Sequence, residues 1–402
     1  MRIAKNTVIA VTALALGVLA QAQEAPARQT FAQWVESFWP VARAAGITRQ
    51  TYDRAFAGLT PDPKVIESAN YQPEYVKPVG EYVDRVVSEK RIATGKQMLA
   101  EHQALLDQIE KKYGVDRTVV VAIWGVESNY GTQPGDMNVI RALATLAYYG
   151  NRSSFARQQL IAALKILQRG DITIEAMNGS WAGAMGHTQF IPTTYQAYAV
   201  DWDGDGKRNI WGHVPDALAS TASYLKKSGW RTGETWGYEV KLPKGYNPRK
   251  GSEKSLRTLA EWQRAGVVRI NGEPFPRPSD KAGLFAPEGA NGPAFLVLNN
   301  FRTILRYNNA TSYALGVGHL SDRLKGYGAF VRPWPTDEKR LSLEQRTELQ
   351  QLLASRGYLE GEPDGVIGPA TLEAVKAYQR TKGLPVDGFP SRTILEMLRK
   401  EG

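Results

Sequence analysis

The feature that most constrains the fold is an apolar segment that ends in one carboxylate. Residues 119–126 of this 402-residue chain read VVVAIWGV, and Glu127 follows directly. A helix that is apolar on every side has to be buried on every side, so other elements must surround it. The segment therefore predicts a large core built around a central helix.

Glu127 stands at the end of that helix, where a charged carboxylate is destabilised. Its apolar neighbours remove water, and the helix C-terminus carries partial negative charge. Both effects favour the protonated form that a general acid needs near neutral pH. A glutamate that reaches solvent where the helix ends is the alternative, and this segment alone leaves both interpretations open.

Hydrophobic spacing elsewhere predicts a mainly α fold. Helical periodicity covers residues 31–38, 77–114, 141–167 and 215–227. Residues 232–293 are rich in Gly, Pro and Lys with short alternating pieces such as 238–242, which predicts a small irregular subdomain containing β-strands. We expect residues 295–324 to return to the main body, so that residues 28–330 form one large domain.

The C-terminal part of the chain has the pattern of a separate small domain. Residues 331–340 contain Pro333 and Pro335 among polar residues and are predicted to be a linker. Residues 341–402 repeat a turn-and-helix unit, since Asp364-Gly365 leads to Thr371 and Asp387-Gly388 leads to Thr393. With a preceding helix over 343–356, this pattern predicts three helices.

The first 22 residues have the pattern of a secretory signal. Arg2 and Lys5 precede an apolar run over residues 8–20, and Ala20-Gln21-Ala22 fits an Ala-x-Ala cleavage site. A membrane-spanning helix needs about 20 apolar residues, and this run is shorter. We therefore expect export, cleavage near Ala22 and a soluble mature protein without a stable membrane anchor.

Composition limits the kinds of molecule that this chain is expected to bind. The chain has no Cys, which excludes disulfides, thiol chemistry and a lipid-bearing cysteine. Its formal net charge of +10 could suit nucleic acid, anionic lipid or an acidic polymer. Export and the lack of a basic helix with interleaved aromatics argue against nucleic acid. A polyanionic cell wall fits better, although a merely soluble surface explains the charge almost as well.

A glycine-rich segment, SWAGAMGHTQFIP over residues 180–192, completes a distinctive set of motifs. Its small residues let backbone approach a ligand closely, while Ser180 and Gln189 can hydrogen-bond it. In order along the chain, ESNYG, GAMGHTQFIP, DGDGKRNIW, SYLKKSGW and RYNNATSYA resemble the family B lytic murein transglycosylases. The resemblance covers about residues 31–323.

The resemblance implies a lysozyme-like catalytic domain acting on peptidoglycan. Such enzymes break the β-1,4 bond between N-acetylmuramic acid and N-acetylglucosamine without water and leave a 1,6-anhydromuramoyl end. Glu127 matches the single catalytic acid/base, no cofactor is required, and Ser180 matches the residue that orients it. The residues that match sugar-binding positions are Gln189, Tyr224, Tyr307, Asn308, Tyr313 and Tyr82. A hydrolytic muramidase and a non-catalytic wall-binding scaffold are the alternatives.

The segment DWDGDGKRN resembles the first half of an EF-hand calcium loop. Asp201, Asp203 and Asp205 occupy positions 1, 3 and 5, and a glycine follows for the sharp turn. The usual Glu at position 12 is missing, and the family resemblance makes Asp216 the candidate that closes the loop. Structural calcium and a metal-free turn both stay open. Zinc is not expected, because the four His are scattered along the chain.

The C-terminal segment resembles the three-helix peptidoglycan-binding domain over about residues 341–398. This resemblance implies that the domain concentrates the enzyme on an insoluble substrate. Export, the absence of a lipid anchor and the family together predict a periplasmic protein. Its expected partners are peptidoglycan glycan strands and other cell-wall enzymes.

Overall fold

A computed structural model describes residues 29–70, 79–149, 153–246, 254–289, 292–335, 341–384, 386 and 388–401. The signal sequence predicted over residues 1–22 lies outside these ranges. The mainly α prediction is confirmed. The described helices are α1 (Phe31–Ala44), α2 (Arg49–Phe56), α3 (Pro63–Asn70), α4 (Val79–Val86), α5 (Glu89–Glu101), α6 (Gln103–Tyr113), α7 (Arg117–Ser128), α8 (Val139–Tyr149), α9 (Ser153–Arg169), α10 (Pro192–Tyr198), α11 (Val214–Lys227), α12 (Leu259–Arg264), α13 (Asn299–Tyr307), α14 (Thr311–Leu324), α15 (Leu343–Ser355), α16 (Pro369–Thr381) and α17 (Arg392–Lys400).

Helix α7 is the predicted central helix. The Asp116 side chain caps its first turn by accepting from the Thr118 backbone N–H at 2.9 Å. Every residue from Thr118 to Gly125 is buried. Helices α5, α6, α11 and α14 surround α7, which accounts for an apolar sequence without a polar face.

The strand-containing subdomain is a five-stranded antiparallel sheet inserted between α11 and α13. Its strands are β3 (Gly237–Lys241), β4 (Arg257–Thr258), β5 (Val268–Arg269), β6 (Lys281–Phe285) and β7 (Ala294–Val297), and a separate pair is β1 (Met137–Asn138) with β2 (Asn178–Gly179). The strand order is β4-β6-β7-β3-β5. Residues 295–297 were expected to belong to the main body, but β7 is the central strand. Its side chains are buried, so its run of apolar residues shows no alternation.

Residues 331–335 pack against the main body, which is formed by the elements up to α14. The backbone N–H groups of Val331 and Arg332 each donate to the Glu239 carboxylate at 2.8 Å. The Trp334 ring lies against Gly80 of α4, where a Cβ would come within 2.6 Å of the indole. The other half of the predicted linker, residues 336–340, lies outside the described ranges.

The C-terminal helices α15, α16 and α17 share a core that includes Leu353, Val375 and Leu395. The predicted repeat has a physical basis, because a buried glutamine holds each Asp-Gly turn. Gln350 Oε1 accepts from the Gly365 backbone N–H at 2.6 Å, and Gln379 Oε1 accepts from that of Gly388 at 2.9 Å. Asp387 lies outside the described ranges.

Among the described residues, no helix has the length and apolar character needed to cross a membrane.

Candidate active site

The end of α7 is shaped by a left-handed turn directly after Glu127 and Ser128. Asn129, Tyr130 and Gly131 have φ angles of 49°, 57° and 81°, a region that residues with side chains seldom adopt. The Tyr130 hydroxyl donates to the Arg91 carbonyl at 2.8 Å. Its ring also fills the space beside Gly125, where a Cβ would lie 2.6 Å from Tyr130 Cζ. The turn is thereby anchored to α5.

The Glu127 carboxyl is held by a tyrosine from another helix. The Tyr313 hydroxyl, on α14, donates to Glu127 Oε1 at 2.6 Å. Burial raises the pKa of Glu127 to about 7, and the hydrogen bond from Tyr313 opposes that rise. No Asp or Glu in the described ranges contributes to this pKa. The predicted rise in pKa is confirmed, and its cause is the loss of water.

Tyrosines line one side of the carboxyl. The Tyr307 and Tyr313 rings are nearly parallel, at 13° with centroids 6.5 Å apart, and the Tyr224 ring meets Tyr307 edge-on at 4.9 Å. Burial, followed by the Glu127 charge, raises the pKa of both Tyr307 and Tyr313 well above the usual value. Tyr82 of α4 lies near Tyr313, since its ring is close to Gly316 of α14, three residues after Tyr313, and its charge contributes to the raised pKa of Tyr313. The structure thus brings four predicted tyrosines together.

The Tyr hydroxyls have further partners. Tyr307 donates to the Thr188 carbonyl at 2.6 Å, and Tyr224 donates to the Arg306 carbonyl. Asn308 is exposed at the end of α13, next to this cluster in sequence. The roles of these residues in binding sugars stay predictions.

The glycine-rich segment folds into a tight loop in which both candidate polar side chains are engaged. Ser180 Oγ accepts from the Ala184 backbone N–H at 3.0 Å. Gln189 adopts φ 51°, and its Nε2 donates to the carbonyls of Pro134 and Gly186 at 2.8 and 2.9 Å. The hydrogen bond described for the Glu127 carboxyl comes from Tyr313, so the expectation that Ser180 orients Glu127 stays a prediction.

A contact that sequence reasoning missed joins this loop to α7. The Trp124 indole Nε1–H donates to His187 Nδ1 at 3.0 Å. The two residues lie 63 positions apart, one in the apolar segment before Glu127 and the other in the glycine-rich segment. No local pattern in the sequence indicates that they are in contact.

The Asp-rich loop gathers three of its four predicted ligands. One carboxylate oxygen from each of Asp201, Asp203 and Asp205 lies within 4.8 Å of the others. Gly204 and Gly206 turn the chain with φ angles of 82° and 88°. The guanidinium of Arg208 would repel a cation bound in this loop. It lies 3.1 Å from the carboxylate of buried Asp171, which partly neutralises its positive charge. These three carboxylates fit a hard cation that prefers oxygen ligands.

Asp216 lies in a different arrangement. Its two oxygens accept from the backbone N–H groups of Trp202 and Asn209 at 2.9 and 2.7 Å, and His213 Nδ1 lies 3.1 Å from Oδ1. It groups with Asp203 and His213 rather than with all three loop aspartates. Asp216 therefore braces the loop backbone, and its role as a fourth ligand stays a prediction.

A helical body with one partly buried glutamate of raised pKa beside a cluster of tyrosines, on a helix that contacts a glycine-rich loop, defines a lysozyme-like glycan-cleaving domain. Residues 30–322 match the model of the transglycosylase SLT domain, and the chain belongs to this family. Residues 342–398 match the model of a peptidoglycan binding domain.

Three relatives make the likeness more specific. SltB3 from Pseudomonas aeruginosa, solved in complex with NAG-anhNAM-pentapeptide, is 52% identical with a TM-score of 0.86, over 92% of this chain and 100% of that one. Membrane-bound lytic murein transglycosylase B of Escherichia coli (strain K12) is 31% identical over 60% of this chain, which spans 65% of that relative's length. The Escherichia coli lytic transglycosylase Slt35, solved in complex with calcium, is 26% identical with a TM-score of 0.62, over 73% of this chain and 92% of that one.

Proposed function

We propose that this protein is a lytic transglycosylase that cleaves the β-1,4 bond between N-acetylmuramic acid and N-acetylglucosamine in peptidoglycan without water. The observation that carries the proposal is the Glu127 carboxyl, whose burial raises its pKa to about 7. A single carboxyl that keeps its proton near neutral pH can act first as an acid and then as a base. The relative SltB3 has been solved in complex with NAG-anhNAM-pentapeptide, which supports the same chemistry for this chain.

The mechanism uses Glu127 for two proton transfers, in which the carboxyl first gives up its own proton and then takes a different one from the substrate. Protonated Glu127 donates to the glycosidic oxygen as its bond to muramic C1 breaks, and the N-acetylglucosamine side leaves as an alcohol. The resulting carboxylate, which accepts the Tyr313 hydrogen bond at 2.6 Å, then removes the proton from the muramic C6 hydroxyl. The C6 oxygen bonds to C1, which closes the 1,6-anhydro ring and returns Glu127 to its protonated form.

Two carboxylates are the usual requirement for glycoside hydrolysis. In the described ranges no second Asp or Glu contributes to the pKa of Glu127. A one-carboxyl site agrees with an intramolecular hydroxyl as the nucleophile, because that hydroxyl needs no separate base to activate a water. The tyrosine faces beside Glu127 suit stacking against pyranose rings.

We further infer that the protein works outside the cytoplasm, in a periplasm. The signal-like sequence of residues 1–22 supports this location. The C-terminal domain would hold the enzyme on the wall, where other cell-wall enzymes also act, and raise its local concentration on the substrate.

We also propose that Asp201, Asp203 and Asp205 hold a structural calcium ion. Their oxygens converge within 4.8 Å, and the relative Slt35 has been solved with calcium. The ion would add stability only, because binding to the folded state raises the melting temperature by mass action. Calcium should therefore raise the melting temperature of the wild type but not that of an Asp203→Asn/Asp205→Asn variant. An unchanged wild-type melting curve at millimolar calcium would leave the loop as a metal-free turn.

The substitution Glu127→Gln tests the proposed chemistry. Glutamine keeps the size of the side chain but cannot donate and recover the proton, so we expect release of anhydro-muropeptides from purified sacculi to be abolished. The fold and binding to sacculi should be unchanged, and the exposed Glu101→Gln serves as the matched control. Substantial turnover by the pure Glu127→Gln protein would contradict the assignment.

A further inference from the structure

A partly buried imidazole, that of His187, joins α7 to the glycine-rich loop three residues before Glu127. The Trp124 indole Nε1–H donates to His187 Nδ1 at 3.0 Å, and the two rings lie side by side with their planes inclined by 20° and their centroids 5.8 Å apart. An indole nitrogen can only donate, so Nδ1 is unprotonated and a neutral ring carries its hydrogen on Nε2. Burial lowers the pKa of His187, although a hydrogen bond with the Trp211 backbone opposes that lowering.

The backbone of His187 fixes the same turn of α7 from a second direction. Its carbonyl accepts from Ser128 Oγ at 2.9 Å, and Ser128 follows Glu127 directly. Ser128 Oγ in turn accepts from the Gly131 backbone N–H at 3.1 Å. A Cβ on Gly131 would lie 2.3 Å from His187 Cε1, so the glycine is what lets the ring come this close.

His187 is also tied to the segment that follows the Asp-rich loop. Its backbone N–H donates to the Ile210 carbonyl at 2.9 Å. The residue therefore connects α7, the glycine-rich loop and residues 210–211. In the described part of the chain, no charged side chain contributes to the pKa of His187. His102 packs on Trp124 as well, with ring centroids 5.7 Å apart.

We propose that His187 is a positioning residue for Glu127: its neutral imidazole accepts the Trp124 indole N–H and holds the last turn of α7 so that the Glu127 carboxyl stays buried against Tyr313. This inference rests on the proposed function of Glu127. The groups that face the carboxyl are Tyr313 of α14 and Tyr307 of α13. If the imidazole were lost, the turn could move and water could reach the carboxyl.

The test compares His187→Leu with His187→Asn. Asparagine places an acceptor oxygen near the position of Nδ1, whereas leucine has a similar bulk and no acceptor. Misplacement of a reacting group by about 1 Å can cost ~100-fold in rate, so we expect kcat of the leucine variant to fall by about 10- to 100-fold. KM should change little, and asparagine should restore most of kcat.

A readout that does not depend on activity is the pKa of Glu127, measured by NMR titration of ¹³C-labelled glutamate carboxyls and assigned with Glu127→Gln. Hydration returns a buried carboxyl toward its ordinary pKa. We therefore expect this pKa to fall from about 7 in the leucine variant and to recover in the asparagine variant. His319→Leu is the matched control, because it removes a buried imidazole that packs on Phe330 instead of Trp124.

A leucine variant with the wild-type kcat and Glu127 pKa would overturn the inference, as would an asparagine variant no better than leucine. If leucine prevents folding, Trp124→Phe removes the donor while keeping a ring, and the same fall in the Glu127 pKa is expected. An unchanged pKa in that variant would equally overturn the inference. If the wild type released no anhydro product, the proposed function would fail, while the carboxyl titration would still decide the positioning role.

Discussion

The Glu127 carboxyl experiences two opposing influences. Burial raises its pKa to about 7, and the hydroxyl of Tyr313 lowers it by donating to the charged form. The first influence keeps the proton available for the leaving oxygen, and the second stabilises the carboxylate formed when that proton has gone. A residue that serves first as an acid and then as a base needs both influences. A carboxyl that stayed protonated could not act as the base, and one that stayed ionised could not act as the acid.

The pH dependence of kcat/KM should report this balance. The pH dependence of kcat/KM reports pKa values of the enzyme without substrate. Glu127 loses its proton as the pH rises through its pKa of about 7, so kcat/KM should fall above that pH. Tyr313→Phe removes the hydrogen bond that favours the carboxylate, so its alkaline limb should move upward by about one pH unit.

The matched control for Tyr313→Phe is Tyr224→Phe, whose lost hydroxyl bonds the Arg306 carbonyl. Its alkaline limb should stay at the wild-type pH. A Tyr313→Phe limb that stayed in place or moved downward would contradict the account of the Glu127 environment.

At the residue scale, local sequence predicted the direction of the Glu127 pKa shift, whereas the catalytic role of Glu127 was implied only by the resemblance of several motifs to a known family. An apolar helix desolvates whatever stands at its end, so residues 119–126 already contained that information. The Tyr313 hydrogen bond spans 186 residues and the Trp124–His187 bond spans 63. Such contacts depend on how helices pack, which spacing along the chain does not encode.

Among the elements, the junction between α14 and β3 contains a second acid with a raised pKa, the partly buried Asp322. The Trp236 indole donates to Asp322 Oδ2 at 2.8 Å. Burial raises the pKa of Asp322 to about 7, with a smaller contribution from Asp116, while the Trp236 hydrogen bond and Lys325 oppose the rise. The folded state therefore holds a proton here that an ordinary aspartate would have released.

The sign of the effect on stability follows from the raised pKa. Stability from protonated Asp322 is complete below the unfolded pKa of about 4 and is lost as the pH rises through about 7. Asp322→Asn is neutral at every pH and can still accept from Trp236. We expect its free energy of unfolding at pH 8 to exceed that of the wild type by on the order of 2 kcal/mol, with little difference at pH 4.

Unfolding in denaturant followed by tryptophan fluorescence measures this difference in the catalytic domain, since all ten Trp lie between residues 34 and 334. Titration of Glu127 changes the free energy of unfolding of both proteins equally, so its contribution cancels in the comparison. Asp136→Asn, at an exposed position, is the control and should show no gain. A wild type as stable as Asp322→Asn at pH 8 would contradict the buried-acid account.

Helices were easier to predict than the sheet for a physical reason. A helix completes its hydrogen bonds within one segment, so its apolar spacing and caps are local. The order β4-β6-β7-β3-β5 pairs segments that are distant in sequence. The alternating pieces within residues 232–293 predict short strands there. Which strands pair with each other, and the central position of β7, depend on contacts between distant segments that local spacing does not show.

On the scale of the whole molecule, residues 330–334 pack against the catalytic body. Phe330 stacks on His319 with ring centroids 3.7 Å apart, and Trp334 packs against Gly80 of α4. Helix α4 also carries Tyr82 toward the active site. The prolines in residues 331–340 indicated a linker from sequence, and tertiary packing makes its first half part of the domain surface.

Two truncations separate the functions of the domains. A chain that ends after Pro335 should keep the wild-type rate on soluble glycan fragments and lose most of its affinity for sacculi, measured by co-sedimentation. A chain that ends after Gly328 also lacks Phe330 and Trp334. Fully burying one large apolar side chain contributes about 1.5–3 kcal/mol, and these two are partly buried, so the shorter protein should be less stable by roughly 2–3 kcal/mol.

The two chains control for each other, because both lack the C-terminal domain. Equal stability of the two would show that residues 329–335 do not belong to the catalytic body. Wild-type co-sedimentation of the longer chain would contradict the binding role of the C-terminal domain.

Cleavage without water through Glu127 is tested most directly by mass spectrometry of muropeptides released from purified sacculi in ¹⁸O-labelled water. A muramidase that hydrolyses the same bond provides the reference, since its new ends gain one labelled water. We predict that the muramoyl ends released by this protein lack the mass of one water and contain no ¹⁸O. Reducing muramoyl ends that carry ¹⁸O would contradict the account and identify a hydrolase.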